Sequence, residues 1–144
     1  MLFDTQEEAM AEVGRCLNDH RLITLGERKF QPSDALEIHL ESRNWLEAKL
    51  ALPFNGRTVV VTHHGPSPTC QHPSFDPSPI STAFWSDIDT LVAEADLWIY
   101  GHTHRSADTQ IHGARLISNQ RGYPRERGTG YQPNYVIECV FCRT

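Results

Sequence analysis

Imidazole is the commonest side-chain ligand for transition metals, and this sequence gathers histidines where strands should end. In Leu97-Trp98-Ile99-Tyr100-Gly101-His102-Thr103-His104 a short apolar run meets a glycine and then two histidines spaced i, i+2. In a helix such a pair points apart, whereas in extended backbone both rings share a side and can converge on one cation. Gly101 is the residue expected to let the chain turn sharply there. Thr58-Val59-Val60-Val61-Thr62-His63-His64-Gly65-Pro66 has the same grammar: a β-branched run, histidine, then Gly-Pro. Neighbouring parallel strands that both end in histidine make a site at their C-terminal edge, where α/β sheets hold ligands. Either pair alone also fits polar loop residues with no ligand; the two together point to a metal.

The elements that must position these residues follow from periodicity. Residues 4 to 19 read as a helix, with Thr5-x-x-Glu8 as a capping box and Ala9, Met10, Val13, Cys16 and Leu17 as its apolar stripe. Residues 22 to 31 are irregular or a short strand pair around Gly26. A second helix begins near Ser33, after Pro32, and runs to about Leu50, burying Leu36, Leu40 or His39, Leu46 and Leu50 with Trp45 at its flank. Pro53-Phe54-Asn55-Gly56 is a turn that feeds the Thr58 strand.

Five prolines (Pro66, Pro68, Pro73, Pro77 and Pro79) between Gly65 and Pro79 exclude a helix or a central strand there. That stretch reads as a rim or lid over the site, with His72 a solvent-exposed bystander. Thr82 to Ala95 reads as a crossover helix with Phe84, Ile88, Leu91, Val92 and Ala95 on one face. It should join two parallel strands in a right-handed strand-helix-strand unit. Thr109 to Ser118 is a hairpin with His112 and Gly113 at its turn. Asn119 to Pro124 is a loop, Arg125 to Pro133 a polar segment, and Tyr135 to Phe141 a last strand.

The chain has 144 residues, 39% hydrophobic and 22% charged, with a net charge of -5, which fits one domain spanning 1–144. Scattered charges give no basic stripe for nucleic acid and no polybasic membrane patch. No window approaches the roughly 18 apolar residues of a spanning helix, and no basic n-region precedes an apolar core, so the expected location is cytoplasmic. Cys16, Cys70, Cys139 and Cys142 are expected to be reduced structural thiols: Cys139 and Cys142 lie in the last strand, where i and i+3 face opposite sides.

Three blocks then carry a resemblance: Val59 to Pro68, Leu97 to His104, and Asn119-Gln120-Arg121-Gly122-Tyr123-Pro124. Together, with Gly-His-x-His about forty residues after a strand-end histidine, they resemble the C-terminal half of calcineurin-like metallophosphoesterases. The helix around Ala35 to Leu50 is also similar to one in small bacterial members. The resemblance implies an α/β fold in which half of a β-sandwich, flanked by helices, carries a mixed sheet with one parallel strand-helix-strand unit. It implies divalent metals (Mn, Zn, Fe or Ni, two in the family), with His63 and His102 on one ion, His104 on its neighbour and His64 toward the substrate. It also implies a phosphoester substrate and hydrolase activity, a phosphatase-type function without a nucleic-acid scaffold role and without a membrane.

The family's Asp-x-His, Gly-Asp-x-x-Asp and Gly-Asn-His-Asp/Glu blocks do not occur in this sequence. The sequence therefore matches a truncated domain, and no catalytic acid or base is identified. Two divalent cations a few ångströms apart repel strongly, and neutral imidazoles do not offset that repulsion as carboxylates do. Three histidines can instead hold one zinc-like ion with an open water position; Asp108 is a candidate for orienting one of them, or a plain surface residue. The alternative is an inactive remnant that binds a metal or a partner protein. A sheet face left uncovered by the missing half should drive the chain to a homo-oligomer.

Overall fold

The computed structural model describes residues 5–138, and the chain is mixed α/β. It forms two compact units interleaved in sequence, one made of the chain up to Leu52 with Asp76–Ala83, the other of Pro53–Phe75 with the chain from Phe84 onward.

In the first unit, Thr5 caps α1 (Gln6–Cys16), its hydroxyl accepting the Glu8 backbone N–H at 3.1 Å. Ala9 and Val13 are buried, and α1 packs on a 3-10 turn at Pro79–Ala83. The helix expected to reach residue 19 stops at Cys16, and a separate turn, α2 (Asp19–Leu22), follows. There His20 stacks on Phe30, and its Nδ1 lies 3.1 Å from the Phe30 carbonyl. The expected short strand pair is β1 (Thr24–Leu25) and β2 (Arg28–Lys29), antiparallel around Gly26 at φ 62°.

Helix α3 (Pro32–Leu50) starts with proline in its first turn, and the Asp34 carboxylate accepts the Gln31 N–H at 2.7 Å. The same carboxylate receives two N–H groups from Arg28, at 2.6 and 2.7 Å. None of the residues expected to be buried on α3 is buried: Leu36, His39, Leu46 and Leu50 are half-covered, and Leu40 and Trp45 are exposed. At 100° per residue Leu36, Leu40, Leu46 and Leu50 share one arc of about 120°, while Ile38 and Trp45 fall on the opposite side, so the apolar residues of α3 are spread over two faces.

The second unit is built on a four-stranded sheet ordered β3-β4-β6-β5, formed by β3 (Val59–Val61), β4 (Leu97–Ile99), β5 (Ala107–Ile111) and β6 (Ala114–Ser118). Strand β3 runs parallel to β4, with Val60 opposite Trp98, and β4 runs parallel to β6, with Trp98 opposite Leu116. Those three buried side chains share one sheet face, while the buried Leu97 and Ile117 lie on the other. The β5-β6 hairpin turns through His112 and Gly113 at φ 50° and 88°, the two positive values that a two-residue hairpin turn requires. Asp96 fixes the β3-β4 start, accepting the Thr58 N–H at 2.8 Å and an Arg57 N–H at 3.2 Å.

The expected helix from Thr82 to Ala95 does not form. Phe84 and Ser86 give their backbone groups to Gly65 instead, Gly65 N–H to Phe84 O at 3.1 Å and Ser86 N–H to Gly65 O at 2.9 Å, so the chain is extended at Trp85. Beyond the 3-10 turn that ends at Ala83, only α4 (Asp89–Val92) is helical. Of the expected apolar set Ile88, Leu91, Val92 and Ala95 are buried, and Phe84 is half-covered. Tyr135 to Glu138 is not a strand, and the rest of that expected strand, with Cys139 and Cys142, lies outside the described residues. Among the described residues no helix is long and apolar enough to cross a membrane.

Arg28 and the Gln31 N–H hold the Asp34 carboxyl down at about 2. A lowered folded-state value means that the pair's contribution is complete above the ordinary carboxylate pKa of about 3.9 and is lost as pH falls through the folded value. An NMR titration of the Asp34 carboxyl should therefore give a midpoint near the folded value, and Arg28→Ala should return it toward the ordinary range. A normal midpoint in the wild-type chain would remove Asp34 from the α3 start.

Candidate metal centre

Beyond their assigned ends, β3 and β4 continue to pair. Thr62 N–H reaches Ile99 O and Gly101 N–H reaches His63 O, both at 3.0 Å, so His63 is delivered directly beside the turn that follows β4. A second chain of hydrogen bonds orients the same end of β3. The indole N–H of buried Trp98 donates to Thr62 Oγ1 at 2.9 Å, and that hydroxyl donates to the His64 carbonyl at 2.7 Å. The core therefore fixes the backbone of both β3 histidines, although their rings are exposed.

The turn after β4 is made differently from expectation. Gly101 does not take a positive φ; His102 and His104 do, at 69° and 53°. For residues with a Cβ this conformation costs on the order of 1 kcal/mol each and persists only where surrounding contacts over-determine it. Gln120, itself buried, supplies those contacts. Its Oε1 accepts the His104 N–H at 2.6 Å, and its Nε2 donates to Thr103 Oγ1 at 3.0 Å, to Arg105 O at 3.1 Å and to Ser118 Oγ.

With the backbone so held, His63 Nε2 and His102 Nδ1 lie 3.0 Å apart. The ligand atoms of His63, His64 and His102 all fall within 4.8 Å of one another. Two imidazole nitrogens on one tetrahedral ion with bonds of about 2.1 Å are separated by about 3.4 Å, so a small shift of either ring suits the first pair to a shared cation. Phe84 lies against His102 with ring centroids 4.9 Å apart, an apolar wall on one side of the group. Three neutral imidazoles fit one transition-metal ion; they supply no negative charge to hold a second.

His104 stands outside this group of three. Its Nδ1 meets Glu126 Oε2 at 2.8 Å, and its ring packs edge-on against Tyr123 at 4.6 Å. The i, i+2 spacing assumed extended backbone, but two left-handed residues in four rotate the rings out of that register. Asp108 orients no histidine: it lies on β5 and accepts two N–H groups of Arg115 at 2.9 and 2.7 Å and the Tyr135 hydroxyl at 2.9 Å. These donors, Arg115 first, lower its pKa.

The Pro-rich stretch is also not simply a lid. Pro66, Ser67 and Cys70 are buried, and a Cβ at Gly65 would come within 2.5 Å of Cys70 Cβ, so this part of the loop is core. Burial raises the pKa of the Cys70 thiol. His72 is half-covered: its Nδ1 accepts the Ser74 N–H at 3.1 Å and its ring packs on Phe75.

Gln120 and Glu126 were not foreseen as parts of the site. The only signal was their place in and just after the Asn119 to Pro124 block, since nothing in amide or carboxylate type alone singles them out.

No protein-family profile and no solved structure matches this chain. An uncharacterized protein of Acanthamoeba polyphaga mimivirus is 24% identical over 147 residues, covering 92% of this chain and 51% of that protein. The chain thus spans about half the length of the curated relative that it matches.

Replacing Gln120 with alanine leaves the Thr103, Arg105 and His104 polar groups without these partners. At about 1–3 kcal/mol for each buried group left unsatisfied, less what water restores, the expected loss in a denaturant melt is about 2–3 kcal/mol. A loss below about 0.5 kcal/mol would show that the turn holds its shape without the carboxamide.

Proposed function

We propose that the chain is a metal-dependent phosphoester hydrolase of the calcineurin-like type, carrying the C-terminal half of that fold. The observation that supports this is the 3.0 Å approach of His63 and His102, ring nitrogen to ring nitrogen, from two parallel strand ends 39 residues apart. Those two residues belong both to the ligand set that the family resemblance implies and to the group of three that comes together here. On this reading His63 and His102 hold one divalent ion, and His64 either completes its ligands or faces the phosphoester. His104 serves a separate role beside Glu126. A bound divalent ion supplies Lewis-acid stabilisation to charge developing on a phosphoryl group. The chain's own part is to fix two or three ring nitrogens at one edge of the sheet, with Phe84 shielding one side from water.

A second reading is favoured by the make-up of the group. Its three residues are all imidazoles, so a site for two divalent ions would lack the carboxylate charge that normally offsets their repulsion. A chain that binds one ion without turnover, or that acts through a partner protein, satisfies this equally. Edge strand β3 presents Val59 at 47% and Val61 at 69% exposure, a surface suited to self-association.

Metal content per purified chain, followed by hydrolysis of p-nitrophenyl phosphate and its bis ester with added manganese, separates the two readings. Expected is near-stoichiometric metal, with turnover abolished by His102→Ala. The affinity loss in that variant should exceed the roughly 10–100-fold typical of losing an outer-shell partner. Metal without turnover would sink the hydrolase and leave the binding module; neither metal nor turnover would sink both. Sizing in solution should give a dimer or larger, and a monomer at micromolar concentration would show that β3 stays uncovered.

A further inference from the structure

At this end of the sheet the ring of His104 meets a carboxylate, Glu126, and the loop that brings it there is built closely around that group. Glu126 Oε2 accepts the Tyr123 backbone N–H at 2.9 Å and lies 2.8 Å from His104 Nδ1. Gly122, at φ 69°, leaves the space: a Cβ there would fall 2.6 Å from the same oxygen and 2.9 Å from a Thr129 methyl. Tyr123 closes over the His104 ring from the edge. The carboxylate is thus held from two sides, and Tyr123 of the same loop packs on the ring that it meets.

We infer that Glu126 is a positioning residue, which fixes His104 as the tautomer protonated on Nδ1 and leaves Nε2 as the ring's one lone-pair donor. The chemistry allows a single assignment. A glutamate carboxyl ordinarily titrates at about 4.3, so Glu126, which accepts the Tyr123 N–H, is ionised at neutral pH. An ionised carboxylate only accepts hydrogen bonds, so the proton between the two groups belongs to Nδ1. A neutral imidazole protonated there presents its bare nitrogen on the opposite side of the ring, and a carboxylate partner raises the basicity of that nitrogen. The tautomer does not rest on the hydrolase reading, in which His104 is not a ligand of the ion.

The test is a long-range proton–nitrogen NMR correlation of 15N-histidine-labelled full chain at pH about 8.5, where imidazole is ordinarily neutral. His104 should be protonated on Nδ1 in the wild-type chain and should shift toward the Nε2-protonated form in Glu126→Ala. Glu126→Gln, which keeps an acceptor oxygen, should retain most of the wild-type pattern. Gly122→Ala, which pushes the carboxylate away without removing it, should resemble Glu126→Ala. A wild-type His104 protonated on Nε2, or a tautomer unmoved by Glu126→Ala, would overturn the assignment. Zinc titration of the same proteins gives the second readout. Affinity should match the wild type in Glu126→Ala, because His104 stands outside the group formed by His63, His64 and His102, and a loss of about tenfold would overturn that separation. A wild-type chain that binds no zinc would count against the hydrolase reading alone, and the tautomer measurement would still decide the role of Glu126.

Discussion

One buried carboxamide clamps the turn that carries His102 and His104. Gln120 reaches from the segment after β6 into the turn after β4 and occupies donors and acceptors on three of its residues. Without such a clamp, a stretch containing two left-handed histidines would relax toward ordinary backbone angles, because each departure is unfavourable and nothing local reverses it. Because Gln120 is buried, its bonds are not exchanged for bonds to water, which makes the geometry of the turn stiff. Stiffness is what a ligand site needs: rings that had to be ordered on binding would lose affinity to the entropy of ordering them.

The other half of the group is held by the sheet itself. Burial of Trp98 between Val60 and Leu116 is mainly hydrophobic, yet its indole N–H needs a partner, and it finds Thr62 at the end of β3. Thr62 in turn holds the His64 carbonyl. A polar requirement of the core is thereby passed outward to the backbone of the exposed histidines. The Gly101 bond to the His63 carbonyl joins the two halves, so the turn after β4 and the end of β3 cannot move independently.

Electrostatics divides the four histidines into two environments. The ring nitrogens of His63, His64 and His102 cluster together, whereas His104 sits against the Glu126 carboxylate. Imidazoles alone select ions that accept nitrogen readily, such as zinc, nickel or copper, over the hard cations that prefer oxygen.

The sequence by itself determined what short-range rules govern. The β-branched Thr58 run and the apolar Leu97 run could only be strands, and a crossover between them made them parallel. Thr5 capped α1, Pro32 opened α3, and His112-Gly113 turned the hairpin, because each of these depends on residues a few positions apart. Tertiary structure decided what depends on distant partners. Backbone pairing with Gly65 kept Trp85 extended and cut the expected crossover helix to α4. Which imidazoles meet was decided in the same way: spacing alone grouped His102 with His104, but Gln120, sixteen residues beyond His104, set turn angles that sent one ring to His63 and the other to Glu126. Spacing predicts convergence only while the backbone is regular, and here a long-range hydrogen bond makes it irregular.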